Sequence, residues 1–130
     1  EVEATASRLA AAGIAVSAFI DPDQSQIQTL SSFSGKVIRG FEINTDRYTR
    51  AGNDALRSHE LEQVAAAAMR GSEVGLEVYA GHGLTVENVS PIAAIEQIEE
   101  LNIGHAIVSR AVLIGLDAAV REMLAAMTPA

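Results

Sequence analysis

The sequence predicts an α/β fold, four βα units built around a parallel sheet. Four short apolar runs, at residues 14–20, 36–43, 73–79 and about 99–103, are each followed by a segment of helical spacing. Polar residues gather just after each run, where the strand ends of a parallel sheet converge. The 130 residues fit a single domain, 1–130.

From Val2 to Ala12 apolar and alanine positions recur at three and four residues, an amphipathic helix that Gly13 stops. Ile14 to Ile20 (IAVSAFI) then reads as a buried parallel strand ended by Asp21-Pro22-Asp23. Asp23 or Ser25 caps a short helix reaching about Phe33, with Ile27 and Leu30 inward. Gly35 ends it, and Lys36 to Ile43 is the second strand, with Val37, Phe41 and Ile43 as packing residues. A long loop through Arg47, Tyr48, Arg50, Gly52 and Asn53 leads to a helix from about Asp54 to Met69, carrying Leu56, Leu61, Val64, Ala65 and Ala68, with Gly71 just beyond it.

Glu73 to Tyr79 is the third strand. Thr85 caps a helix from about Val86, with Asn88 in place of the usual capping-box Glu, and Ile92 to Ile95 supply its core face despite Pro91. Leu101-Asn102-Ile103 forms the fourth strand, and two closing helices, Ala106 to Gly115 and Leu116 to Met127, are separated at Gly115. Two closures satisfy this order: a small open α/β sandwich, or half of an eight-stranded barrel, since a whole barrel takes about 250 residues. A half barrel leaves two sheet edges and an unfinished interior, so it calls for a partner half or a second copy of itself.

Composition excludes several functions. Nine Lys and Arg against 17 Asp and Glu leave a net charge of −8, which opposes nucleic-acid binding. There is no Cys for a disulfide framework or thiolate metal site, and no apolar run or leader-like start points to a membrane, so a cytoplasmic protein is expected. No HExxH or comparable ligand spacing occurs, and neither a metal nor another cofactor is expected.

The candidate chemistry sits at the strand ends: Asp21 and Asp23; Glu42, Asn44, Thr45 and Asp46; His82; Asn102 and His105. His82 lies in Gly-His-Gly, where flanking glycines leave an imidazole uncovered and able to accept and donate a proton. Its bland alternative is a turn histidine bonded to a neighbouring loop. Glu42 alternates with Phe41 and Ile43 on its strand and faces either a central pocket, as a base, or an arginine across the sheet, for which Arg39, Arg47 and Arg50 are available. Gly104-His105, entering a helix, offers free N–H groups to a phosphate, and Gly81 and Gly83 offer more. A plain strand-to-helix turn also favours glycine there.

Tyr79 to Val89 (YAGHGLTVENV) and Glu100 to Val112 (ELNIGHAIVSRAV), in this order, resemble the pyridoxine 5'-phosphate synthase family. The likeness takes in Leu9 to Asp21 (LAAAGIAVSAFID) and the terminal Ala-Val-Arg-Glu-Met, nearly the whole chain. It implies a (β/α)8 TIM barrel of which this chain is the C-terminal half, and condensation of 1-deoxy-D-xylulose 5-phosphate with 3-amino-2-oxopropyl phosphate to pyridoxine 5'-phosphate, phosphate and water. It implies that His82 is a general acid/base, that Glu42 assists ring closure, and that Gly83, Gly104 and His105 bind the aminoketone phosphate. The partners implied are phosphorylated small molecules and the N-terminal half of the barrel or further copies of this chain, in a homo-oligomer. The alternative is a catalytically silent, self-associating half-barrel module that retains phosphate binding.

Three positions depart from the family pattern. Ile43-Asn44-Thr45-Asp46 stands where Ile/Leu-His-Thr-Gly is usual, so Asp46 adds a negative charge near a phosphate site, and Tyr79 replaces an Asn and is expected to crowd the pocket. The family's first four strands carry another catalytic Glu and a loop with His and Arg, and nothing in this sequence replaces them.

Overall fold

In the computed structural model the described residues are 1–33 and 37–128. Their order is α1 (Val2–Ala11), β1 (Ser17–Ile20), α2 (Gln24–Ser31), β2 (Gly40–Asn44), α3 (Asp46–Thr49), α4 (Asp54–Glu73), β3 (Glu77–Gly81), α5 (Val89–Ala93), β4 (Glu100–Asn102), α6 (His105–Ile114) and α7 (Leu116–Met127). The four strands form one parallel sheet in the order β1-β2-β3-β4. Phe19, Glu42 and Tyr79 stand side by side across it, with Glu100 next to Tyr79.

Alternation along the strands separates the two faces. Phe41, Ile43, Val78 and Ala80 are buried and join Ile27, Val64, Ala68, Val89 and Ile92 from the helices in one core. Burying each large side chain of this set contributes about 1.5–3 kcal/mol. The intervening residues, Phe19, Glu42, Tyr79 and Asn102, look out on the other side and keep contact with solvent. The closing helices pack on each other, yet α6 has no buried residue, and its Val112 is 82% exposed.

The expected helix at the start, the cap by Asp23 and the break at Gly115 are all present. The Asp23 carboxylate accepts from Ser25 N, Ser25 Oγ and Gln26 N, which holds its pKa below the ordinary value. Gly115 separates α6 from α7 at φ 85°.

Several boundaries differ from the sequence reading. The strands begin later than expected, at Ser17, Gly40 and Glu77; the expected helix stop at Gly35 and strand start at Lys36 lie outside the described residues. The helix expected to end near Met69 runs on to Glu73, because Gly71 lies inside it against the Phe41 ring, which an added Cβ would strike. The real stop is Gly75 at φ 76°, where Leu76 N donates to Gly71 O at 3.0 Å and Gly75 N to Ser72 O at 3.0 Å, a Schellman closure. Leu56, one of the apolar residues at helical spacing on α4, is exposed.

The expected loop after β2 contains the single-turn helix α3, anchored by buried Tyr48, whose hydroxyl donates to Asn88 O at 2.8 Å. Burial raises the Tyr48 pKa. Residues 85–88 form a capped turn rather than the first turn of the expected helix, which starts at Val89: Thr85 N donates to Asn88 Oδ1 and Glu87 N to Thr85 Oγ1. No helix among the described residues is long and apolar enough to cross a membrane.

Candidate active site

The C-terminal ends of β2, β3 and β4 surround a cavity of about 550 Å³ whose walls include Glu42, Asp46, His82, Gly83, Gly104 and His105. The five residues to which the family resemblance gives a role, Glu42, His82, Gly83, Gly104 and His105, meet in this one place together with Asp46 and Asn102, while the candidates Asp21 and Asp23 line a separate depression. A parallel sheet explains the convergence, since every strand delivers its last residues and the following loop to the same edge.

Glu42 points out of the open face beside Gly81. A Cβ on Gly81 would run into Glu42 Oε1 and sit 2.8 Å from the Asn102 carbonyl oxygen, so the glycine makes room for the carboxylate. Asn102 Nδ2 donates to Glu42 Oε2 at 2.9 Å. Burial raises the Glu42 pKa and the Glu100 charge adds to the rise, while the Asn102 bond and His82 oppose it. A carboxyl group so placed is suited to exchanging a proton. None of the three arginines considered for it is its partner: Arg39 pairs with Glu77 at 2.7 Å and Arg50 with Asp46 at 3.0 Å, while Arg47 lines a separate depression with Asp21 and His59.

His82 follows β3 directly and has φ 81°, the one non-glycine residue with positive φ among those described. Such a backbone costs on the order of 1–3 kcal/mol and persists only where its surroundings hold it. Thr45 does the holding. It is fully buried at the end of β2; its N–H donates to Gly81 O at 2.9 Å, and its hydroxyl lies 2.8 Å from Gly81 O and 2.6 Å from His82 O, donating to one at a time. The imidazole itself is exposed, with Nε2 3.6 Å from Asp46 Oδ1 and the Phe19 ring 6.2 Å away, centroid to centroid.

The glycines of the cavity differ in what requires them. At Gly83, φ is 75° and a Cβ would strike Thr49 Oγ1, so the chain's own packing demands glycine. At Gly104 nothing lies within 4 Å of an added Cβ, and φ is −105°. Fold and conformation leave Gly104 free, and the space beside it belongs to the cavity. Gly104 precedes α6 without a side-chain cap, leaving first-turn N–H groups to face an anion.

Two residues of this site carried no role in the sequence reading, Thr45 and Asn102. Both were visible as polar residues at strand ends, but their partners lie 36 and 60 residues away. Asn44 gains a role as well: its Nδ2 donates to Asp21 Oδ1 at 3.0 Å and its Oδ1 accepts from Asp46 N at 3.1 Å, tying β1 to the start of α3. Tyr79 does not crowd the cavity. Its hydroxyl turns down the strand and donates to Glu77, which pushes the phenol pKa up to about 12. The same bond, together with Arg39, lowers the Glu77 pKa. Among the described residues no group of three or more metal-ligating side chains comes together.

Comparison with known proteins identifies the family. The family model described as "Pyridoxal phosphate biosynthesis protein PdxJ" matches residues 1–129. Proteins named pyridoxine 5'-phosphate synthase are similar throughout: that of Magnetococcus marinus is 50% identical over 117 residues, covering 90% of this chain and 47% of the relative. That of a Synechococcus species is 49% identical over 120 residues, covering 92% and 49%, and that of Coxiella burnetii is 50% identical over 117 residues, covering 90% and 48%. The chain thus spans about half the length of the curated relatives it matches. With a match that runs from the first residue almost to the last, this chain belongs to the PdxJ family of pyridoxal phosphate biosynthesis proteins.

Proposed function

We propose that this chain supplies the C-terminal four βα units of a (β/α)8 barrel, and with them half the active site of a pyridoxine 5'-phosphate synthase. The reaction would join 1-deoxy-D-xylulose 5-phosphate to 3-amino-2-oxopropyl phosphate and release phosphate and water. Schiff-base formation, enolisation and dehydration each move protons. In this reading His82 exchanges them with the intermediates and Glu42, a carboxyl group with a raised pKa, assists a nearby protonation or loss of water. Gly83, Gly104 and His105 receive the aminoketone phosphate through backbone donors and the first turn of α6.

The observation that carries this reading is the open face of the sheet. A parallel sheet is ordinarily covered on both faces, and here one face is left uncovered, with Phe19 exposed on it and Glu42 and His82 lining the cavity at its C-terminal edge. The exposed apolar residues Val108, Val112, Leu113 and Leu116 of α6 and α7 add a surface that a complementary half would cover. Native mass spectrometry should find this chain joined to the remaining four βα units, in one polypeptide or two; copies of this chain alone would overturn the enzyme reading in favour of a self-associating module. In the complete protein, His82→Ala should lower turnover about 10²–10⁴-fold while substrate still binds. Near-normal turnover would remove His82 from the chemistry.

A further inference from the structure

Asp46 places a carboxylate on the wall of the cavity, and its backbone is fixed from both sides. Its N–H donates to Asn44 Oδ1 at 3.1 Å, and its carbonyl accepts from Thr49 Oγ1 at 3.1 Å and Arg50 N at 3.0 Å. One oxygen, Oδ1, lies 3.0 Å from Arg50 Nε and 3.6 Å from His82 Nε2. An ion pair with a guanidinium this exposed contributes little to stability. The pair also changes the charge of the cavity wall. The lining holds two carboxylates, Glu42 and Asp46, and among the described residues Arg50 is its only Lys or Arg. Without the guanidinium, a phosphate approaching Gly83 and Gly104 would face both carboxylates with only two imidazoles to offset them.

We propose that Arg50 is a specificity-determining residue of this site, acting through Asp46: the pair is a neutral unit that keeps a fixed carboxylate from repelling phosphorylated ligands. The inference rests on the phosphate-binding function proposed above and goes a step further, because it assigns Arg50 a part in ligand choice without contact to the ligand. Asp46 remains on the wall whether or not the arginine is present, since α3 holds its backbone. Removing Arg50 therefore exposes a charge, and removing both charges takes the repulsion away.

The test is calorimetric titration of inorganic phosphate into the complete protein, unsubstituted and as Arg50→Gln, Asp46→Asn and the double variant. At about 10 mM salt, where the Debye length is about 30 Å, Arg50→Gln should bind phosphate about three- to tenfold more weakly. The double variant should return to within about twofold of the unsubstituted protein. At about 1 M salt, with a Debye length of about 3 Å, the Arg50→Gln deficit should vanish, which a purely structural defect would not do. Unchanged binding by Arg50→Gln beside normal binding by the unsubstituted protein would overturn this inference alone. A double variant as weak as Arg50→Gln would overturn it too, since arginine would then contact phosphate itself. An unsubstituted protein that binds no phosphate would overturn the proposed function and the inference with it.

Discussion

Phe41 and Glu42 are neighbours on β2, yet one is fully buried against Gly71 and Val78 while the other reaches past Gly81 to Asn102 and stays in contact with water. The same division runs across the sheet, with Ile43, Val78 and Ala80 on the first side and Phe19, Tyr79 and Asn102 on the second. The covered side is apolar and close-packed, and its residues contribute through area removed from water. The open side holds a carboxyl group with a raised pKa and ends at a histidine with a strained backbone. A single sheet thus keeps its packed core and its candidate site on opposite faces, one residue apart along the chain.

The largest effect expected from breaking this division is at Phe41. Phe41→Ala should destabilise the protein by about 3–5 kcal/mol, because it empties space between β2, β3 and α4 that Gly71, lacking a Cβ, leaves for the ring. Urea denaturation measures it; a cost below about 1 kcal/mol would mean that the covered side is not the source of stability.

Thr45 tests the seam between the two faces. Thr45→Val keeps the shape and the N–H bond to Gly81 but removes the hydroxyl that serves the Gly81 and His82 carbonyls. A cost of about 1–3 kcal/mol is expected for the lost buried donor. Because the hydroxyl also holds His82 at φ 81°, turnover of the complete enzyme should fall while stability is still sufficient for folding. A stability loss with unchanged turnover would separate Thr45 from the His82 geometry.

Periodicity made the covered face readable in advance. Apolar runs and helical spacing identified four βα units, and the alternation of Phe41, Glu42 and Ile43 already placed Glu42 opposite the core. The ends of elements were harder. Gly71 and Gly75 both resemble a helix stop, and the choice depends on the Phe41 ring, which is 30 residues distant in sequence and adjacent in space. Helix α3 is one turn long, too short for a period to show, and its anchor is a tertiary bond from Tyr48 to Asn88. On the open face, the identities of Glu42, His82, Gly83, Gly104 and His105 were visible from position and motif. The roles of Asn102, Thr45 and Arg50 depended on pairings that spacing does not encode or, for Arg50, on a choice between Asp46 and Glu42 that only the turn of α3 decides.

The smallest expected effect is the most diagnostic, because its sign is opposite on the two faces. Burial raises the Glu42 pKa above its ordinary value of 4.5, so between the ordinary and the raised value the folded protein holds more proton at this site than the unfolded chain does. Stability from this group therefore falls as pH rises through that window, and above it Glu42 is a net cost to the fold. Glu42→Gln cannot ionise, and its side-chain oxygen can still accept from Asn102 Nδ2. The variant should melt slightly higher than the unsubstituted protein at pH 7 and at the same temperature near pH 3, where both side chains are neutral. Turnover of the complete enzyme should fall in the same variant, the exchange of stability against function expected of a carboxylate kept in place for chemistry. Paired thermal melts at the two pH values decide it: a Gln variant less stable at pH 7 would make Glu42 a stabilising residue, and the division between the two faces would fail at the residue that defines it.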